Sequence, residues 1–216
     1  MEIAKKFQPI YEATQGVQGY VCAQVNPKKQ GDTAAMVEMG RRLASWAPNI
    51  AVKVPATAAG CTYLEEFERK LLGKKKVSAV ATPLACAKVG RNSTPILDCV
   101  KSGMNVALGT GGAIEAGNLD MFEVIRGTAL AVRAQSGNAA ALPAPAAVMM
   151  ATSCGARAQG RAADTGMLKV GMDADIILVD FTAPHLMPCH DVKTGLVFSA
   201  KGGDVAMTMV RGKIMY

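Results

Sequence analysis

Short apolar segments that end in proline, asparagine or glycine alternate with helical patterns from about residue 20 to residue 160. The strand candidates in this region are residues 20–25, 50–54, 77–81 and 105–108. This alternation is typical of parallel α/β units, in which each helix packs its apolar stripe on the sheet. The pattern predicts an α/β fold with about four parallel strands, which is too few to close an eight-stranded barrel.

Capping residues and helix breakers set the expected helix boundaries. The expected helices run from Asp32 to about Pro48, from about residue 63 to Gly73, from Ser93 to Gly103, from Asn118 through Val132, and over residues 144–159.

The pattern changes at about Asp164, after which strand-like segments dominate. Arg211-Gly212 is a hairpin signal between two of these segments, because both positions of such a turn favour residues that tolerate positive φ. We expect a small β-rich layer in this tail. The predicted strands are residues 175–180, 196–200, 205–210 and 213–216.

Composition argues against nucleic-acid binding and against a membrane-spanning protein. The formal net charge is +7, but aromatic residues are only 5% of the chain and do not interleave with basic ones, so a nucleic-acid partner is not expected. The six cysteines form no CxxC pair, and no apolar stretch approaches the roughly 20 residues that a membrane span requires. The amino-terminal segment is typical of an amphipathic helix and not of a secretion signal, so a cytoplasmic location without membrane contact is expected.

Lys53 lies within the apolar strand candidate of residues 50–54. Desolvation lowers the pKa of a lysine, and a neutral amine is what a Schiff-base nucleophile requires. A lysine in such a strand also commonly packs its aliphatic stem and extends its charged head to solvent. Spacing alone favours the second interpretation.

The first 60 residues contain three motifs that resemble transaldolases. The motifs are Tyr11-Glu12-Ala13-Thr14, Gly19-Tyr20-Val21-Cys22-Ala23-Gln24-Val25-Asn26-Pro27 and Asn49-Ile50-Ala51-Val52-Lys53-Val54-Pro55-Ala56-Thr57. The resemblance covers about residues 3–60 and implies that Lys53 forms the Schiff base and that Gln24 holds the catalytic water. The family's catalytic aspartate would precede Met1, and its later phosphate-binding strands are replaced after about residue 66.

Residues 77–216 resemble amidohydrolases, and among them the deaminases that act on methylthioadenosine and S-adenosylhomocysteine. The motifs that carry this resemblance are residues 103–113 (GMNVALGTGGA), 118–123 (NLDMFE) and 166–180 (GMLKVGMDADIILVD). The resemblance implies part of a (β/α)8 barrel, so the whole chain is expected to form an incomplete (β/α) barrel with a β-rich layer. The corresponding domains are residues 1–73, 74–163 and 164–216, with the first boundary at Lys74–Lys76.

Amidohydrolases use zinc or iron to activate a water molecule, and an aspartate after the last barrel strand is one of their metal ligands. The family's G-T-D-G motif is Gly109-Thr110-Gly111-Gly112 in this chain, so Gly111 stands in the aspartate's place. His185 and His190 are the only histidines, and they lie in the β-rich tail. No metal cofactor is expected, because a catalytic zinc site needs three protein ligands.

Three functions remain open at this point. The first is an amidohydrolase-like remnant, acting on C–N bonds by ancestry but inactive or severely impaired alone. The second is a Schiff-base aldolase that uses Lys53. The third is a non-catalytic module that self-associates through open barrel edges, which expose unpaired backbone groups. The substrate-binding residues are not identifiable from the sequence.

Overall fold

A computed structural model describes residues 2–16, 18–24, 26, 33–53, 72–74, 76–90 and 93–216 of the chain. The expected cap at Asp32 and most of the helix expected at residues 63–72 lie outside these residues. The chain divides into two compact units, Met1–Gly60 and Cys61–Tyr216.

The first unit contains two parallel strands and two helices. Strands β1 and β2 pair in register from Val21↔Ile50 to Gln24↔Lys53, which confirms the two strand predictions for this region. The elements are α1 (Glu2–Ala13), β1 (Val21–Gln24), α2 (Thr33–Ala44) and β2 (Ile50–Lys53).

A buried amide holds this unit together. The Asn49 side chain is fully buried, and its Nδ2 donates to the carbonyl oxygens of Ala4 (2.8 Å) and Gly19 (3.0 Å). Gly19 has φ +81°, and an added Cβ would lie 2.5 Å from the backbone nitrogen of Tyr11. The turn into β1 therefore requires glycine, because the helix backbone approaches it so closely.

The second unit begins with another parallel strand pair and continues through a helical region into a small antiparallel sheet. Its elements are β3 (Ser78–Ala81), α3 (Pro83–Lys88), α4 (Ile96–Lys101), β4 (Asn105–Leu108), α5 (Ala113–Ala116), α6 (Met121–Ser136), α7 (Ala144–Ala151), α8 (Ser153–Ala158), β5 (Ile176–Val179), α9 (Val192–Phe198), β6 (Val205–Val210) and β7 (Lys213–Ile214).

The core of this unit lies between the β3–β4 pair and helices α6, α7 and α9. The pair is parallel, with Ser78↔Asn105 at one end and Ala81↔Leu108 at the other. Val124 of α6 and Val197 of α9 are among the most deeply buried apolar side chains. The apolar stripe of α6 thus faces the shared core, where α6 packs against helices α3, α7 and α9.

The carboxyl-terminal sheet has the order β5-β6-β7 and is antiparallel. Arg211 and Gly212 both have positive φ, +49° and +78°, and Val210 pairs with Lys213 across them. The predicted hairpin at Arg211-Gly212 is therefore confirmed.

Three element predictions are wrong, and one helix was not predicted. Residues 196–200 are not a strand, because Asp191 caps a helix there by accepting from the Thr194 backbone nitrogen (2.9 Å). The single helix expected over residues 144–159 is broken at Thr152, whose φ and ψ are −119° and −93°. The cap of α6 is Asp120 and not Asn118, since Asp120 Oδ1 accepts from Phe122 N at 2.8 Å. Helix α3, which opens with Pro83 at a position where its missing N–H carries no penalty, was not expected.

The fold is α/β, and in the described ranges the parallel strands form two separate two-stranded sheets, β1–β2 and β3–β4, with no closed barrel. Within those same ranges no helix is both long enough and apolar enough to cross a membrane.

Candidate active site

The loop after β4 lies at the carboxyl end of the β3–β4 pair, where α/β barrels place their catalytic groups. Gly109 N donates to Ala81 O (3.0 Å), so the pairing continues one residue past the strands. Gly111 then turns the chain with φ +72°. Position 111, which the sequence identifies as the place of the missing aspartate, therefore lies at the expected edge of the sheet.

Glu115 fills the space in which a side chain at position 111 would begin. An added Cβ on Gly111 would lie 2.6 Å from Glu115 Oε2 and 3.7 Å from Ala85 Cβ. Glu115 Oε2 accepts from Gly112 N (2.8 Å), and Lys88 Nζ donates to Ile114 O (2.9 Å), which holds α5 in place. The Glu115 carboxylate thus stabilises the start of a helix next to the vacated ligand position.

A cavity of about 890 Å³ opens beside Leu108, at the same end of β4. Met121 and Ile176 contribute to the apolar walls of this cavity. Asp175 is the acidic residue among those described that line it. The Asp175 carboxylate is already engaged, because it accepts from Arg211 N (2.8 Å) and Thr165 Oγ1 (2.8 Å). These hydrogen bonds hold the pKa of Asp175 below its ordinary value, so the group remains ionised and structural.

The two histidines lie in the carboxyl-terminal tail. They are distant in sequence from the loop after β4 and do not belong to the elements that flank it. His185 belongs to a short 3₁₀ turn, Pro184–Leu186, and its Nε2 lies 3.0 Å from Asp204 Oδ2. The hydrogen bond with His185 lowers the pKa of Asp204. His185 therefore has a local structural partner.

The donors present do not fit the family's metal site. Gly111 offers no side-chain ligand, and in the part of the chain that the structure describes no group of three or more His, Cys, Asp and Glu side chains is placed to hold a metal ion. Zinc in a catalytic site needs three such ligands. No step of a metal-assisted hydrolysis can be derived from these residues.

The carboxyl-terminal acidic residues form a structural network. Asp173 Oδ2 pairs with Arg161 (3.3 Å) and with Arg211 (3.2 Å). Asp175 and Asp180 flank β5, one at each end of the strand. This network ties the segment after α8 to the hairpin between β6 and β7.

In the first unit, the two residues that the sequence singles out for aldolase chemistry occupy paired positions. Gln24 and Lys53 are the last residues of β1 and β2, and their Cα atoms are register partners. The structure therefore brings the two backbone positions side by side at the carboxyl ends of parallel strands.

The second unit and part of the first match a known family. The family model described as the amidohydrolase family matches residues 44–215, which is most of the chain. The chain belongs to the amidohydrolase family. The model described as transaldolase/fructose-6-phosphate aldolase matches residues 1–72, so the two matches overlap over residues 44–72. Both resemblances predicted from the motifs are confirmed.

Curated relatives of this amidohydrolase include deaminases of modified adenosines. The 5'-deoxyadenosine deaminase of Methanosarcina acetivorans is 43% identical over 158 residues, which are 73% of this chain and 36% of that enzyme. The 5-methylthioadenosine/S-adenosylhomocysteine deaminase of Moorella thermoacetica is 41% identical over 162 residues, 75% of this chain and 38% of that enzyme. The chain spans between a third and two fifths of the length of these relatives.

Solved structures agree with the family. An adenosine deaminase from Xanthomonas campestris with bound zinc is 26% identical with a TM-score of 0.75, and the match covers 98% of this chain and 48% of that chain. The atrazine chlorohydrolase of Arthrobacter aurescens has a TM-score of 0.71 at 20% identity, with 98% and 47% coverage, and shows the shared fold alone.

Sequence reasoning did not identify Glu115. The signal was present, because a glutamate three residues after a turn residue is typical of a helix start, and Glu115 follows Gly112 at that spacing. The proximity of the same carboxylate to position 111 depends on the φ angle of Gly111. A sequence motif does not give this angle.

Proposed function

We propose that this amidohydrolase chain carries the carboxyl-terminal part of an adenosine-type deaminase fold and does not catalyse deamination by itself. The observation that supports the proposal is the loop after β4, in which Gly111 replaces the ligand position and Glu115 borders the space. Without a metal ligand at that position, no group in the loop activates water for attack on the C–N carbon.

The choice of substrate class is supported by the relatives. Those named above are deaminases of 5'-deoxyadenosine and of methylthioadenosine or S-adenosylhomocysteine, at 41–43% identity over the matched residues. An adenosine with a modified 5' position is therefore the ligand class of the ancestral reaction. In this proposal the chain derives from a deaminase that preferred such adenosines as substrates. This chain itself has lost the hydrolysis.

Ammonia release tests the proposal directly. The purified chain is incubated with 5'-deoxyadenosine, methylthioadenosine and S-adenosylhomocysteine, with zinc or iron added, beside the deaminase of Methanosarcina acetivorans as positive control. We expect no ammonia above the rate without protein and no stoichiometric metal by elemental analysis. Deamination by the unmodified chain overturns the proposal.

A second function, Schiff-base aldolase chemistry, is favoured by the register of β1 and β2. Gln24 and Lys53 are paired positions, and the transaldolase/fructose-6-phosphate aldolase model covers both. In this proposal the neutral Lys53 amine attacks the ketone carbon of a dihydroxyacetone donor, and water leaves as the iminium forms. Gln24 would hold the water that later releases the product.

Borohydride trapping tests this second function. Reduction in the presence of dihydroxyacetone should add the mass of the reduced donor to the peptide that contains Lys53. The matched variants are Lys53→Arg, which keeps the charge but is not a Schiff-base nucleophile, and Lys88→Arg, which leaves Lys53 intact. An adduct that is absent, or that survives in Lys53→Arg, ends this hypothesis without affecting the deaminase proposal.

A further inference from the structure

A second cavity, of about 740 Å³, opens at the opposite ends of the β3–β4 pair. Ser78 and Asn105, the first residues of these strands, line it, whereas the candidate active-site loop follows the last residue of β4. The cavity therefore belongs to the amino-terminal face of the sheet, which the family's chemistry does not use.

Two cationic side chains line this cavity, and within the described part of the chain neither has a side-chain partner. Lys76 and Arg157 are both exposed, and among the described residues neither side chain takes part in an ion pair or a hydrogen bond. The described lining contains no aspartate or glutamate. Uncompensated positive charge beside low-dielectric walls raises the local concentration of anions.

The polar floor of the cavity is fixed by the sheet and by α8. Asn105 Nδ2 donates to Ser78 Oγ (2.9 Å) and to Cys154 O (3.0 Å). Because Ser78 Oγ is the acceptor in this contact, its own O–H remains available to donate to a ligand. An anion held by Lys76 and Arg157 would find a further donor here.

The remaining walls are apolar. Val106 and Met150 lie at 2% and 6% exposure, and Met104 is also buried, whereas Met149 is about half exposed. Methionine side chains adapt to ligands of different shape. The volume lies within the range of roughly 300–1,000 Å³ that small-molecule sites occupy.

We propose that this cavity binds a small organic anion with an apolar body, such as an alkyl phosphate or alkyl carboxylate. Lys76, Arg157 and the Ser78 hydroxyl bind the anionic head, and the methionine-lined wall binds the apolar part. Ser78 lies at the end of β3 opposite the loop after β4, and the binding test requires no deaminase activity, so the proposal stands or falls independently of the deaminase proposal.

Calorimetry with hexyl phosphate, hexanoate, hexanol and inorganic phosphate tests this assignment. Hexyl phosphate and hexanoate should bind to one site, each about tenfold or more tighter than hexanol or inorganic phosphate, because head and body contribute together. Carbon-13 methyl spectra of methionine-labelled protein locate the site. The Met104 and Met150 signals should shift with hexyl phosphate, and the Met172 and Met187 signals, which do not line the cavity, should not.

Charge-removing variants complete the test. Lys76→Gln and Arg157→Gln should each weaken hexyl phosphate binding by about tenfold. Hexanol binding should not change. The matched controls Lys169→Gln and Arg42→Gln remove the same charges outside the cavity and should leave both affinities unchanged. Equal affinity for hexyl phosphate and hexanol, or equal losses in the control variants, would overturn the proposal.

Discussion

At the residue scale, Gly111 has two properties that bear on the family's metal-ligand position. It has no side chain to act as a ligand, and its φ of +72° lies in the region where non-glycine residues are strained. Glu115 Oε2 lies 2.6 Å from the position of an added Cβ, so the vacated space is already shared with a neighbouring carboxylate.

We expect that restoring the family's aspartate alone does not give deaminase activity. Gly111→Asp should be inactive in the ammonia-release assay, since no group of three metal-binding side chains is present among the described residues to complete the site. The double variant Gly111→Asp/Glu115→Ala relieves the contact and should also be inactive. Thermal unfolding should show that Gly111→Asp is less stable than the unmodified chain, because φ +72° strains a residue with a side chain, and that the double variant is no more stable, because it also loses the hydrogen bond from Gly112 N to Glu115. Activity in either variant contradicts the account of this loop.

At the element scale, α6 depends on a single capping residue that also binds a second segment. Asp120 accepts from Phe122 N (2.8 Å) and from Gly202 N (2.9 Å). Asn118, which the sequence favours as the cap, instead accepts from Asp120 N (2.9 Å) and so positions the true cap. The carboxylate connects the start of the longest described helix to the turn before β6.

Removal of this carboxylate should destabilise the second unit. Asp120→Ala is expected to lower the free energy of unfolding by about 1–2 kcal/mol, because a helix cap and a contact between elements are lost together. Asn118→Ala should lower it by about 0.5 kcal/mol, as exposed hydrogen bonds contribute little. Urea unfolding followed by circular dichroism measures both, and the reverse order of effects would make Asn118 the cap.

The small antiparallel sheet has a pH dependence that follows from Asp175. The pKa of this carboxyl is lowered from its ordinary 3.8, first by the hydrogen bond from Arg211 N and then by that from Thr165. Because the folded pKa is the lower one, the stabilisation is full above the ordinary value and is lost as the pH falls through the folded pKa.

Asp175→Asn should therefore be less stable than the unmodified chain near neutral pH, and the difference should shrink as the pH falls below the ordinary pKa of 3.8. The urea midpoint measured from about pH 7 to about pH 2 gives this comparison. Asp98→Asn, which removes the same charge from α4, controls for net charge. A difference that is constant across the range would mean that Asp175 does not contribute through its ionised form.

At the scale of the whole molecule, several apolar side chains on strands are exposed to solvent. Val80 of β3 is 56% exposed, and Ile177 and Leu178 of β5, an edge of its sheet in the described part, are about half exposed. Strand edges with apolar side chains favour association between chains.

Self-association with a second copy is the expected result. Size-exclusion chromatography with light scattering should give a mass above that of one chain. Ile177→Lys should shift the population toward monomer, whereas Val170→Lys, at a fully exposed loop position, should not. A well-behaved monomer at every concentration contradicts the expectation.

The periodic pattern predicted every parallel strand in the described part to within a residue or so, because strand length and strand ends follow from local apolar runs and their breakers. It was wrong at residues 196–200, where Leu196, Val197 and Phe198 resemble a strand but a cap at Asp191 begins a helix. Val197 is fully buried against the helical core, so packing decided between two local structures that the apolar run permits.

The sequence alone determined the family, the α/β alternation and the absence of a side chain at position 111, because these depend on residue identity and short-range order. Only the tertiary structure decided that Glu115 borders that position, that Gln24 and Lys53 are register partners, and that Lys76 and Arg157 line one cavity. Gln24 and Lys53, and likewise Lys76 and Arg157, are far apart in the chain and meet through strand register or packing. At position 111, the φ angle of Gly111 sets the distance to the Glu115 carboxylate. Neither cause is visible in the spacing of residues.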